Sequence, residues 1–170
     1  MTTATDQVTT GERADLLEAL AKHRFFLTFP ARGLTDEQAG QRTTASELCI
    51  GGLIKHVTAT ERSWLDFIER GAEGMGGNEE GWQDNFRMLE GETLAGLLEA
   101  YEQVGRRTAA LVASLPDLDV SHPLPEAPWF EPGARWSARR VLLHLIGETA
   151  QHAGHADIIR EAIDGAKSMG

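Results

Sequence analysis

Cysteine is nearly absent. Cys49 stands alone in 170 residues, so no internal disulfide can staple the fold, and the chain suits a reducing cytoplasm. Basic charge is short as well: 16 Lys and Arg face 26 Asp and Glu, for a net charge of −10. With no cationic surplus to displace counterions, binding to a nucleic-acid backbone is not expected, nor is attraction to an anionic membrane surface. No apolar run approaches the ~20 residues that a transmembrane helix needs. Met1 to Thr10 lacks the basic and apolar regions of a signal peptide and reads as a flexible tail. Strand-like alternation and internal repeats are missing too. What remains, 41% apolar and 25% charged residues, is the composition of one soluble globular domain, expected over residues 11–166.

Four segments carry helical periodicity and predict an all-α four-helix bundle. The first runs from about Gly11 to Phe29, with Leu16, Leu20, His23 and Leu27 on one stripe, and Pro30 and Gly33 end it. Thr35/Gln38 and Thr44/Glu47 have capping-box spacing, and the second pair predicts the start of a helix reaching about Arg70. Its stripe is Ile50, Leu53, Ile54, Val57, Trp64 and Ile68. Gly51 and Gly52 interrupt that stripe at roughly 1 kcal/mol each against alanine, so either close packing or room for a ligand is expected to compensate. The third helix covers about Thr93 to Ser114. The fourth starts near Ser137, an N-cap residue, and stops before Gly165, a helix-terminating glycine. Two long connections, 71–92 and 115–136, separate the last three helices; connections of that length are often functional or partly disordered.

The fourth helix carries the chemistry. Glu148 and His152 stand four residues apart, one turn above the other on one face. A carboxylate and an imidazole so placed can share a divalent metal, and a metal removes the several kcal/mol cost of burying an unpaired carboxylate. On a helical wheel at ~100° per residue, His152 points nearest the apolar stripe and Glu148 next, while His144 and His155 fall toward the edge. That ordering makes Glu148 and His152 the inward pair and casts His144 and His155 as supporting or mouth residues. The third ligand must come from another helix. His56, bordering the stripe of the second helix, is the best-placed candidate, although periodicity alone also fits a hydrogen-bonded core histidine. Imidazole with carboxylate suits zinc, and also iron, nickel or manganese; three protein ligands with an open position mark a reactive site rather than a structural one. Gly52, four residues before His56, would leave space beside the metal. Cys49 reads chiefly as a small buried hydrophobe. Trp64, Trp82, Trp129 and Trp136 read as packing residues, with Trp82 and Trp129 placed to line a pocket.

Gly51-Gly52-Leu53-Ile54-Lys55-His56-Val57, followed by Glu61 and Trp64, resembles the second helix of the DinB-like superfamily. Arg135-Trp136-Ser137 and the run from His144 through Glu148, His152, His155, Asp157 and Arg160 to Gly165 are similar to an actinobacterial branch labelled "mini-circle protein". The resemblance implies an up-down four-helix bundle holding a divalent metal, zinc or nickel, on three side chains. It supplies His56 as the ligand from the second helix and puts Glu148 and His152 at the two positions of the last helix, where many members have two histidines. That set resembles the metal-binding domain of mycothiol-dependent maleylpyruvate isomerase. The chain ends with its fourth helix and lacks that enzyme's further domain, so the metal ligands carry over and the isomerase reaction does not. The family further implies homodimers and S-transferases of low-molecular-weight thiols, in which a metal lowers the pKa of a thiol for attack on a small electrophile. The expected function is accordingly a metal-dependent, mycothiol-like thiol S-transferase. The alternatives are a hydrolase using metal-activated water and a non-enzymatic dimeric metal-binding bundle.

Overall fold

The structure is a computed structural model that describes residues 10–76 and 82–168, and the backbone alone at Trp82 and Gln83. The expected flexible tail thus lies outside the described residues, apart from Thr10, as do part of the 71–92 connection and the Trp82 side chain. Four long helices, α1 (Glu12–Thr28), α3 (Ile50–Arg70), α4 (Leu94–Ser114) and α5 (Ala138–Asp164), and a short α2 (Asp36–Gly40) make an all-α bundle.

The helix ends follow from local chemistry. The Thr35 hydroxyl accepts from the Gln38 amide while the Gln38 side chain accepts from the Thr35 amide, so the capping box at α2 is complete. Ser137 caps α5, accepting from the Arg140 amide at 3.2 Å, and Gly165 ends it in the left-handed region at φ 78°. The α3 start differs from the sequence expectation. Thr44 and Glu47 do not begin it; the Thr44 hydroxyl instead bonds Ser46, in a tight turn. The N-cap is Cys49, whose sulfur accepts from the Gly52 amide at 3.4 Å. The thiol that reads as a buried hydrophobe is indeed buried, and it also satisfies one of the orphan amides of a helix start.

The long helices are directed up, down, down, up. Glu12 pairs with Arg139 and the Pro30 carbonyl accepts from Arg160, so α1 and α5 run side by side in the same sense. Lys55 pairs with Glu92 and Asp66 with Arg107, so α3 and α4 also run together. α3 meets α5 antiparallel, with His56 against Glu148 and Trp64 against His144. A chain leaving α3 must travel back along the bundle before starting a parallel α4, and the long 71–92 connection is that return. The 115–136 connection holds a feature without strand-like alternation in the sequence: an antiparallel ribbon of β1 (Ser121–Pro123) and β2 (Arg135–Ser137), with His122 opposite Trp136. At three residues per strand it is too short to show a period.

The core lies along the inner faces of α3 and α5: Ile50, Leu53, Ile54, Leu65, Val141, Leu142 and Leu145 are at most 1% exposed. Each such side chain contributes about 1.5–3 kcal/mol by leaving water. The seam between α1 and α4 is looser and leaves a cleft of about 630 Å³ lined by Leu17, Leu20, Phe25, Leu98 and Tyr101. At its base Arg24 reaches inward to Glu61, which is fully buried on α3. No described helix is long and apolar enough to cross a membrane.

Candidate metal centre

Antiparallel packing of α3 against α5 brings His56 beside the one-turn pair Glu148 and His152. His56 Nε2 lies 3.0 Å from Glu148 Oε1, and His152 Nε2 lies 3.2 Å from the same oxygen. One ligand atom from each of the three residues falls within 4.8 Å of the others. Both imidazoles are buried, at 4% and 8% exposure, whereas the Glu148 side chain is 21% exposed. The trio is therefore walled by core on the histidine side and open to solvent on the carboxylate side.

The electrostatics fit a cation. Hydrogen bonding from His152, then from His56, holds the Glu148 carboxyl well below the usual carboxylate range despite partial burial. The group is thus an anion at neutral pH, with two imidazole nitrogens converging on one oxygen. Nitrogen, nitrogen and oxygen form a donor set for a borderline divalent ion such as zinc. His155 lies one turn on, half-buried, with its Nδ1 3.3 Å from His152 Nδ1. That contact engages the far nitrogen of His152 and leaves Nε2 for the cluster, the arrangement by which an outer partner sets a ligand's tautomer.

The other sequence candidates fall elsewhere. His144 is outside the cluster. It packs edge-on against Trp64 and Trp136, at centroid distances of 5.1 and 5.3 Å, and burial lowers its pKa, favouring the neutral ring. Trp64 and Trp136 stack at 4.7 Å, so both are packing residues as expected, while Trp129 is 76% exposed. Gly52 does not leave space for a ligand. A Cβ there would lie 2.0 Å from the Phe86 carbonyl oxygen, so of the two compensations open for this glycine, close backbone packing is the one realised.

Two contacts made by α3 side chains were not legible from periodicity, one at the cluster and one away from it. Phe86, in the Trp82–Phe86 3-10 turn, stacks on His56 with centroids 4.2 Å apart and planes at 24°. It lies in a connection without periodicity, so nothing in the sequence aims it. Glu61 occupies the core-facing side of α3, five residues after His56, where its carboxylate takes hydrogen bonds from Arg24 and Thr108. A glutamate set among the apolar positions of α3 was the signal available for it.

A family model described as MST: Mycothiol-S-transferase matches residues 15–165, a span that includes every residue of the cluster. No curated protein matches the chain.

Proposed function

The chain belongs to the mycothiol-S-transferase family, and on that premise we propose that it is a divalent-metal-dependent enzyme transferring a low-molecular-weight thiol, mycothiol or a close analogue, to a small electrophile. The observation that carries this reading is the convergence of His56 and His152 on one Glu148 oxygen at 3.0 and 3.2 Å, at the solvent-facing edge of the core. His56, Glu148 and His152 would hold the ion, zinc first and nickel second. When bound, such an ion lowers the pKa of a thiol, so that thiolate is available at neutral pH.

The chain's own residues set the conditions for that chemistry. The anionic Glu148 offsets the charge of the cation and leaves the site's exposed side for the thiol and the electrophile. His155 orients His152 through the Nδ1 contact. His144, one turn before Glu148, packs with Trp64 and Trp136 apart from the cluster, which closes the α3–α5 seam beyond it. We read residues 11–166 as one domain, acting in the cytoplasm and as a homodimer.

The test has two arms. Metal analysis of the purified chain should give one ion per chain, and His152→Ala should lose it. Conjugation of a thiol to an electrophile such as a haloaromatic should require the metal and stop with a chelator. Full occupancy in His152→Ala would overturn the ligand assignment. Turnover of an ester or amide with no thiol present would overturn the transferase reading in favour of hydrolysis.

A further inference from the structure

The Phe86 backbone and side chain grip α3 at two points one turn apart. The ring lies flat on the His56 imidazole, at 4.2 Å and 24°, and 6.5 Å from the His152 ring. The carbonyl of the same residue sits against Gly52, where a Cβ would meet its oxygen at 2.0 Å, its carbon at 2.3 Å and the Arg87 nitrogen at 2.7 Å. These are backbone atoms and cannot swing aside as a side chain would. At Gly51, by contrast, a Cβ would meet the Met88 sulfur, the far end of a flexible side chain. The Cys49 thiol donates toward the Phe86 carbonyl at 3.8 Å, while its sulfur accepts from the Gly52 amide. The Lys55–Glu92 ion pair at 2.7 Å fastens the same connection to α3 further along.

We propose that Gly52 and Phe86 form a clamp that positions His56 for metal binding. Gly52 admits the Phe86 backbone to the first turn of α3, and the Phe86 ring then fixes the plane of the imidazole. His56 cannot rotate about its ring axis without displacing Phe86, so Nε2 stays directed at Glu148. The ring also shields that side of the cluster from water. This accounts for a glycine within the apolar stripe of a helix, where it costs roughly 1 kcal/mol against alanine: the position must be bare for the ligand to be held. Both are positioning residues, acting on the metal through His56. The inference rests on the metal reading above.

The experiment compares wild type with Phe86→Ala, Phe86→Tyr and Gly52→Ala, using zinc itself as the probe. Zinc affinity is measured by competition with a chromophoric chelator, and melting is followed with and without zinc. Outer-shell partners of metal ligands are commonly worth about 10–100-fold in affinity. Phe86→Ala should therefore bind zinc at least about tenfold more weakly and lose much of the zinc-induced rise in Tm, with a smaller change in the metal-free Tm. Phe86→Tyr, which keeps the flat ring, should restore both. Gly52→Ala should resemble Phe86→Ala; if it fails to fold, the Phe86 pair still decides. Wild-type zinc affinity in Phe86→Ala overturns the clamp alone, as does a fall in metal-free Tm with the zinc-induced rise intact. Wild-type protein that takes up no zinc overturns the metal reading and the clamp with it.

Discussion

Replacing Arg24 by methionine should destabilise the fold by several kcal/mol, because of what it leaves behind. Glu61 is fully buried and the Arg24 side chain is 16% exposed. One Glu61 oxygen takes both Arg24 and Thr108, and the other has no hydrogen-bond partner among the described residues. Burial already pushes the Glu61 carboxyl above its ordinary range, outweighing the Arg24 charge and then the Thr108 and Arg24 hydrogen bonds. Breaking a buried pair by removing one partner costs about 3–5 kcal/mol, and the partial exposure of Arg24 favours the lower end. Its other contacts, a hydrogen bond to the Tyr101 carbonyl at 3.2 Å and the guanidinium 4.6 Å from the Tyr101 ring centroid, are lost at the same time. A loss of about 3–4 kcal/mol corresponds to roughly 6–16 °C in Tm for a chain of this size.

Urea unfolding followed by far-UV circular dichroism measures this loss, and pH supplies an internal check. A carboxyl whose folded pKa is raised binds its proton more tightly folded than unfolded, so protonation relieves the stranded charge. The Arg24→Met deficit should shrink as pH falls from 7 toward the ordinary carboxylate range. The double variant Arg24→Met/Glu61→Leu, which removes both charges and fills the space with apolar groups, should recover most of the loss. A single-variant cost below about 1 kcal/mol, or a double variant as unstable as the sum of its singles, would refute the account.

Glu148→Gln should abolish stoichiometric metal uptake. In the metal-free protein it should also change the acid response. The folded carboxyl is held below its ordinary value of 4.5, so its contribution is present above that value and lost as pH falls through the folded pKa. The stability gap between wild type and variant should therefore narrow below about pH 4.5, and a gap independent of pH would contradict the geometry. At the α3 N-terminus, Cys49→Ala should cost about 0.5 kcal/mol through the lost cap, the low end for a capping residue because a thiol accepts weakly, and Cys49→Ser should cost less; equal losses in denaturant titrations would show that packing, not capping, is the role of the sulfur.

The helices were legible because burial of one face leaves a 3.6-residue period in the sequence. The stripe from Ile50 to Ile68 and the pair Glu148/His152 fall where that period puts them. The start of α3 was not, because Thr44 and Glu47 have the spacing of a cap but Cys49 does the capping. A thiol is a weak acceptor, and spacing rules for hydroxyls and carboxylates pass over it. The ribbon at 121–123 and 135–137 was hidden by its brevity. His144 and His155 share a face on the wheel but not an environment: His155 reaches the cluster through His152, while His144 is taken up by two tryptophans on other elements.

The sequence by itself determined that the chain is helical and acidic, and that one helix carries a carboxylate and an imidazole one turn apart. These are local properties, set by residue type and by spacing within a single element. Only the tertiary structure decided that His56 closes the cluster and that Phe86 lies on its ring. It likewise decided that Gly52 accommodates backbone rather than ligand, and that Glu61 is answered by an arginine from α1. Each of these joins residues from different elements, and no periodicity within one helix records which neighbour it will meet.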